Sequence, residues 1–176
     1  RTKVAPLSFV GRAFTVDDEV IDDVLAAIEL LRAEPRIDPA RIVVVGHSLG
    51  GMLAPRIATR DPQLAGIVLM AGATRKSLPE MVTAQFDYLA TLPGSDSAAI
   101  VAQRRAVEAP LQQVRRLAPA DSANTMPILG APASYWLDLA RYDIVATTKS
   151  LTLPILVLQG GRDYQVLPAD VDQWEA

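Results

Sequence analysis

An apolar run leads into a Gly-x-Ser-x-Gly turn at Val43-Val44-Val45-Gly46-His47-Ser48-Leu49-Gly50-Gly51. A serine between a buried strand and a helix lies on a sharp, strained turn that exposes its hydroxyl. We expect Gly46 and Gly50 to let the backbone close up at this turn, and Gly51 to ease the packing of the helix against the strand. The pattern predicts Ser48 as a nucleophile; the alternative is an unreactive turn serine.

The two neighbours of Ser48 have different predicted roles. Leu49 begins the helix, so its backbone N–H is placed to donate a hydrogen bond to an oxyanion. His47 is the single histidine of the chain, and the side chains of adjacent strand residues diverge. We therefore expect His47 to be a packed, hydrogen-bonded structural residue, with a role as base as the alternative. A serine nucleophile needs a separate histidine as its base, which this sequence does not contain.

Composition narrows the functional classes. The chain has 176 residues, half of them hydrophobic, which suits one globular domain with a sizeable core. Its net charge of −3 gives no electrostatic reason to expect nucleic acid or an anionic membrane as a partner. The lack of cysteine excludes disulfides, thiolate metal sites and cysteine nucleophiles, and one histidine without a suitably spaced carboxylate cluster argues against zinc. No apolar run is long enough to cross a bilayer.

Hydrophobic periodicity predicts alternating helices and strands around the serine turn. Apolar residues at three- and four-residue spacing predict a helix over 15–34, and another helix follows the turn over 49–59. Apolar runs predict a strand at 41–45, which we expect to be buried on both faces, and a strand at 67–70. This order implies a right-handed crossover in a parallel sheet, to which 154–159 adds a third strand.

A long interval separates the second predicted strand from the third. Residues 74–151 show helical periodicity interrupted by prolines and glycine. We interpret this interval as a cap-like helical insertion over the carboxyl edge of the sheet, where ligands bind in open α/β sheets. It would then roof the site that contains Ser48. The alternative is a helical decoration without a role in substrate binding.

Asp163 is the predicted partner of the missing base. It follows the third strand after a Gly-Gly-Arg turn, which puts its carboxylate at the same sheet edge as Ser48. The order of serine and then acid also fits a nucleophile–acid–histidine triad. The alternative for Asp163 is a plain turn aspartate. Weaker rivals lie in the final helix and in the insertion: Asp170, Asp172, Asp138 and Asp143.

Two segments together carry a family resemblance. Gly46-His47-Ser48-Leu49-Gly50-Gly51 and Pro154-Ile155-Leu156-Val157-Leu158-Gln159-Gly160-Gly161-Arg162-Asp163-Tyr164-Gln165-Val166 resemble the α/β-hydrolase superfamily. More narrowly, the chain is similar to bacterial esterases and acyl hydrolases near dienelactone hydrolases and prolyl-oligopeptidase-like enzymes, a match that 38–42 and 134–138 strengthen. The resemblance implies a three-layer α/β-hydrolase fold, a mostly parallel sheet with helices on both faces, here incomplete and carrying a helical insertion.

The resemblance also implies an activity. It is that of a serine hydrolase cleaving a carboxylic ester or related acyl bond of a small molecule through an acyl-enzyme, without cofactor or metal. Ser48 would be the nucleophile, Asp163 the triad acid and Leu49 a backbone oxyanion donor. The family's base histidine and second oxyanion donor have no counterpart here, so we expect 1–176 to be a partial domain that is inactive by itself. A peptidase, a thioesterase or a catalytically silent binding domain stay open as alternatives.

Overall fold

Three parallel strands form the sheet, in a computed structural model that describes residues 11–74, 77–170 and 172–175. The strands β1 (Val43–His47), β2 (Gly66–Met70) and β3 (Ile155–Leu158) lie in the order β1-β2-β3. All pairs are parallel, so the carboxyl ends of the three strands share one edge. The predicted parallel sheet is confirmed, although the first strand begins and ends two residues later than expected.

Helices fill most of the remaining chain. A π-helical turn at Asp17–Ile21 runs directly into the first α-helix, and the second α-helix makes the crossover from β1 to β2. Residues 78–149 hold four more α-helices and a 3₁₀ turn at Pro119–Ala123. After β3, the described residues hold a 3₁₀ turn at Pro168–Asp170 and one short α-helix. The helices are α1 (Asp22–Ala33), α2 (Leu49–Arg60), α3 (Leu78–Thr91), α4 (Ser97–Arg116), α5 (Ala133–Arg141), α6 (Ile144–Lys149) and α7 (Asp172–Glu175).

Three of the four α-helices between β2 and β3 begin at a capping side chain. The Ser77 hydroxyl accepts a hydrogen bond from the Glu80 N–H at the start of α3, and the Asp96 carboxylate accepts two at the start of α4. The Asp143 carboxylate accepts from the Ala146 N–H at the start of α6. These bonds satisfy N–H groups that the first helical turn leaves without partners. Between α3 and α4 the chain reverses through Gly94, whose φ of +78° favours glycine.

The hydrophobic core lies between the sheet and α2. On the covered sheet face, Ile67 and Leu69 of β2 are fully buried, and Leu53 and Ile57 of α2 are buried with them in the same core. Ile28 of α1 completes this layer. The alternating side chains of the strands thus place one set of residues against the helices.

The opposite face of the sheet is exposed. Val45 is 62% exposed, Leu156 is 52% exposed and Val43 is 48% exposed. The prediction that the first strand is buried on both faces is therefore wrong within the described residues, because no helix of that part of the chain covers Val43 and Val45. Of the three layers of an α/β-hydrolase, the described residues form the sheet and the helical layer on one face.

The described residues contain neither a membrane-spanning helix nor a metal-binding cluster. None of the helices found there is both long and apolar enough to span a bilayer. The same residues contain no group of three or more histidine, cysteine or carboxylate side chains that could hold a metal ion.

Candidate active site

Ser48 occupies a strained backbone conformation between β1 and α2. Its φ of +54° and ψ of −116° lie where a residue with a side chain is disfavoured. The Ser48 N–H donates to the Met70 carbonyl at 2.9 Å, and the Ser48 carbonyl accepts from the Met52 N–H at 3.0 Å. The side chain is exposed and has no hydrogen-bond partner among the described residues. The turn therefore presents a free hydroxyl at the carboxyl edge of the sheet.

The glycines around Ser48 do not all serve the turn in the same way. A Cβ at Gly46 would lie 2.1 Å from the Gly50 carbonyl oxygen, so only glycine fits there. A Cβ at Gly51 would lie 3.0 Å from the Gly72 Cα, where α2 meets the end of β2. A Cβ at Gly50 meets nothing within 4 Å. The expectations for Gly46 and Gly51 are confirmed, whereas Gly50 is not required for close approach.

The amino end of α2 lies directly after Ser48, which is the N-cap residue of this helix. Leu49 is the first residue of this helix, so its N–H has no partner within the helix. No other described residue accepts a hydrogen bond from it either. The partial positive charge of a helix amino terminus favours an anion at such a position. An oxyanion formed at Ser48 would find a donor in the Leu49 N–H.

His47 lies on the exposed face of the sheet. It follows Val43 and Val45 on the same side of β1, while α2 packs against the other side. Its side chain is exposed and makes no hydrogen bond or ion pair with the described residues. The prediction of a packed, hydrogen-bonded histidine is therefore wrong, because the sheet face that would pack it is uncovered here. The alternation along β1 separates His47 from the cavity that contains Ser48.

Asp163 lies in the loop that follows β3. Its Oδ1 accepts hydrogen bonds from the N–H groups of Gln165 at 2.9 Å and Val166 at 3.2 Å, and its own N–H donates to the Gly160 carbonyl. The second carboxylate oxygen has no hydrogen-bond partner within the described part of the chain. One oxygen is thus fixed by the backbone while the other remains available as an acceptor.

The sheet brings Ser48 and Asp163 to one edge with a strand between them. Ser48 follows β1, Asp163 follows β3, and β2 lies between these strands. Two strand spacings amount to about 10 Å. That separation suits an imidazole ring that hydrogen-bonds to a serine on one side and to a carboxylate on the other.

Three of the four rival carboxylates have other partners. Asp138 receives two hydrogen bonds from the Arg56 guanidinium, at 2.9 and 3.1 Å, and Asp143 caps α6. Asp170 is buried and accepts from the Thr74 hydroxyl at 2.8 Å. These three side chains stabilise the fold, and the fourth rival, Asp172, is exposed on α7. Asp163 therefore remains the candidate for the acid.

A largely apolar cavity of about 210 Å³ opens beside Ser48. Its walls come from α2, α3, α5 and the loop of Asp163, and include Leu49, Met52, Met81, Tyr135, Trp136 and Val166. Burial, together with the nearby Glu19 carboxylate, raises the pKa of the Tyr135 phenol above its usual range. The phenol is therefore neutral at physiological pH, and the wall that it contributes carries no charge.

Two glutamines that sequence reasoning did not single out hold the loop of Asp163. The Gln159 side-chain amide donates to the Val166 carbonyl at 2.8 Å, and the Gln85 amide of α3 donates to the Gln165 carbonyl at 2.9 Å. The sequence carries no local signal for the second of these bonds, since Gln85 and Gln165 are eighty residues apart. Through Gln85, the first helix after β2 is attached to the loop that carries the acid.

The parallel sheet, the strained serine before a helix and the acid loop after β3 together define an α/β-hydrolase. Residues 12–174 match the family model described as serine aminopeptidase, S33 (Hydrolase_4). The chain belongs to this family, and the predicted α/β-hydrolase fold is confirmed.

Known relatives include esterases. Esterase EstD from Thermotoga maritima is 38% identical over 160 residues, covering 91% of this chain and 36% of the esterase. The chain therefore spans about a third of the length of this curated relative.

Solved structures share the fold. The Pyrococcus furiosus esterase Pf2001 has a TM-score of 0.51 at 20% identity, over 92% of this chain and 48% of its own. Proline iminopeptidase from Mycobacterium smegmatis has a TM-score of 0.55 at 23% identity, over 88% of this chain and 58% of its own. At such identities the likeness concerns the fold alone.

Proposed function

We propose that the protein containing this chain is a serine hydrolase that cleaves carboxylic esters. The observation that carries the proposal is the free hydroxyl of Ser48, held on a strained turn at the mouth of an apolar cavity. An uncharged cavity suits the acyl part of an ester. An amino-terminal substrate would instead bring an ammonium group, which needs a carboxylate partner when it is buried. The cavity has no acidic side chain among its described lining residues.

The proposed reaction uses Ser48, the Leu49 N–H and Asp163 together with a histidine base. The Ser48 Oγ attacks the acyl carbonyl and passes its proton to a histidine, while the Leu49 N–H donates to the oxyanion that forms. Collapse of the tetrahedral intermediate breaks the bond to the alcohol, which leaves with the proton from the histidine. Water then attacks the acyl-enzyme by the same steps and releases the carboxylic acid. Asp163 would hold the histidine in the required tautomer through its available carboxylate oxygen.

The base histidine in this proposal comes from outside 1–176. His47 is on the opposite face of β1 and is a poor base for Ser48, and the sequence contains no other histidine. The ends of β1 and β3 are two strand spacings, or about 10 Å, apart, a distance that an imidazole above the end of β2 would bridge. The match to this chain covers only about a third of the length of EstD, which supports a larger parent domain. This chain by itself is then inactive.

The insertion at 74–151 acts as a cap in the same proposal. Met81 of α3 and Trp136 of α5 contribute to the cavity beside Ser48, and Gln85 attaches α3 to the loop of Asp163. A helical decoration without a substrate role would have no reason to supply walls to this cavity. The cap would therefore shape the acyl-binding space and exclude water from it.

Labelling by a fluorophosphonate probe tests the nucleophile. The intact protein should be labelled at Ser48, and Ser48→Ala should lose the label. Ser150→Ala is the matched control, because Ser150 is an exposed serine whose hydroxyl donates to the Thr147 carbonyl, and it should keep the label. Labelling at another residue would contradict the assignment of Ser48, and no labelling of the folded protein would favour a silent binding domain.

An aminopeptidase is the second candidate, favoured by the description of the family model. Ester and peptide cleavage use the same groups, so the site chemistry does not separate them. Rates on the p-nitrophenyl ester of an aliphatic acid and on the p-nitrophenyl ester of an amino acid of similar size would do so, because the leaving group is the same and only the ammonium group differs. We expect kcat/KM to be higher for the aliphatic ester by at least about tenfold, since the cavity lacks a partner for the substrate's ammonium group. A preference for the aminoacyl ester would reverse the order of the two candidates.

A further inference from the structure

A second cavity lies behind the one beside Ser48. It has a volume of about 220 Å³ and lies between α3, α4 and α5, with Val114, Leu117 and Leu137 among its walls. Ser48, Leu49 and Met52 do not border it. It is therefore a separate space of nearly the same size as the first, farther from the nucleophile.

Three side chains border both cavities. They are Leu78 at the start of α3 and Trp136 and Leu139 of α5. We call these three residues the dividing wall. An apolar chain that extended from Ser48 toward α5 would fill the first cavity and then meet this wall.

The members of the dividing wall differ in how firmly they are held. The Trp136 indole N–H donates to the Ile128 carbonyl at 2.8 Å, and its ring packs edge-on against Tyr135 with centroids 5.0 Å apart. Leu78 lies beside Pro79 in the first turn of α3. Leu139 has only apolar side-chain atoms and is half-buried against the main core. Shortening Leu139 therefore opens the wall without leaving a buried polar group unpaired.

We propose that the acyl chain of the substrate lies in the first cavity and that the dividing wall, through Leu139, sets the longest chain that the site accepts. This inference rests on the proposed ester hydrolysis and specifies its substrate as an ester of an uncharged aliphatic acid. Each methylene that enters the first cavity raises kcat/KM by up to about fourfold, the free energy of burying one CH₂. A methylene that reaches the wall gains nothing, so the rate passes through a maximum as the chain lengthens.

Leu139→Ala tests the dividing wall in the intact protein. A series of p-nitrophenyl esters from acetyl to palmitoyl gives the dependence of kcat/KM on chain length. The maximum should move to chains at least two methylenes longer in Leu139→Ala, and esters longer than the wild-type optimum should gain about tenfold or more, from two or three additional buried methylenes. Leu139→Val, which removes less volume and is less disruptive, should move the maximum in the same direction by a smaller amount.

Leu137→Ala is the matched control. Leu137 is on the same helix and loses the same atoms, but it borders the second cavity alone. It enlarges that cavity without opening the wall, so the maximum should stay where it is in the wild type. A shift in Leu137→Ala equal to that in Leu139→Ala would overturn the proposal, because general loosening of α5 would explain both.

The outcomes also separate this inference from the proposed function. If the wild type hydrolyses esters and both variants at Leu139 keep its optimum, the dividing wall does not limit chain length, while ester hydrolysis stands. If the folded wild type hydrolyses no ester and Ser48 is not labelled by the fluorophosphonate, the proposed function fails, and the assignment of an acyl-binding cavity fails with it.

Discussion

At the scale of single residues, the site depends on one unfavourable backbone conformation. A residue with a side chain at positive φ costs about 1–2 kcal/mol, and Ser48 is held there by contacts on either side. The approach of Gly46 to the Gly50 carbonyl closes the turn, and the hydrogen bond from the Ser48 N–H to Met70 attaches it to β2. The rest of the fold therefore supports a strain that serves to expose one hydroxyl.

Alanine substitutions at the two glycines of the turn should have opposite effects. Gly46→Ala forces a Cβ against the Gly50 carbonyl oxygen, so we expect the free energy of unfolding to fall by about 3 kcal/mol. Gly50→Ala meets open space within α2, so the free energy of unfolding should rise by about 0.5–1 kcal/mol. Urea denaturation of the intact protein measures both. Equal losses in the two variants would contradict the different packing of these positions.

Asp163→Asn should lower the activity of the protein while leaving its stability nearly unchanged. The asparagine oxygen can still accept the N–H groups of Gln165 and Val166, so the loop keeps its shape and the melting temperature changes little. In the proposed triad the negative charge orients and stabilises the histidine, so its loss should lower kcat by about 10³–10⁴-fold. Asp172→Asn, an exposed position on α7, is the control and should keep full activity. If kcat fell in Asp172→Asn and not in Asp163→Asn, the triad acid would be Asp172.

The sequence predicts Ser48 and Asp163 because each lies in a short motif at the end of an apolar strand. Leu49 follows from Ser48 by the same local logic. Met81 and Trp136 are different, because they reach the cavity through the packing of helices that are distant along the chain. Gln85 gives no local signal for its bond to the acid loop. Side chains whose positions depend on tertiary packing are therefore the part of the site that sequence patterns leave out.

At the scale of elements, charge pairs connect the helix after Ser48 to its neighbours. Arg56 of α2 forms a bidentate pair with Asp138 of α5 and contacts Asp17 at 2.9 Å. Arg60, one turn further along α2, pairs with Asp17 at 2.6 Å and with Asp22 of α1 at 3.0 Å. These pairs link α1, α2 and α5, the last of which supplies Trp136 and Leu139 to the cavity. The position of the cavity wall relative to Ser48 thus depends on Arg56.

Arg56→Met should destabilise the protein and loosen the cavity. The substitution leaves the partly buried Asp138 carboxylate without its cation, while Asp17 keeps Arg60, and we expect a loss of about 2 kcal/mol in the free energy of unfolding. Adding Asp138→Leu should restore part of that loss, since the uncompensated charge is removed. Arg36→Met is the control, because Arg36 pairs with Glu34 in solvent and should show no measurable change. Thermal unfolding of the wild type, the two single variants and the double variant measures these changes. Equal effects at Arg56 and Arg36 would contradict a structural role for the ion pairs of Arg56.

At the scale of the whole molecule, the sheet has one covered and one uncovered face. Hydrophobic periodicity correctly predicts the strands and helices, because the helices and strands each bury apolar residues at their own spacing. It does not reveal that β1 has an exposed face, since the run Val43-Val44-Val45 is apolar on both sides. Such a run is typical of a strand that has helices on both faces. The sequence of β1 is therefore typical of the central sheet of a three-layer fold. The described residues form two of these layers, the sheet and the helices on one of its faces.

Lysine substitutions on the uncovered face should act differently in this chain and in the intact protein. Val45 and Leu156 are exposed here. In the chain expressed by itself, the double variant Val45→Lys, Leu156→Lys should therefore show less self-association and bind less of a hydrophobic dye. Its helical circular dichroism should be unchanged. In a complete three-layer domain the same lysines would be buried without partners, and the protein should unfold at lower urea concentration. Val44→Lys, on the covered face, should disrupt both forms. If the double variant leaves the intact protein as stable as the wild type, this sheet face is open to solvent there too, and the third layer is absent at β1.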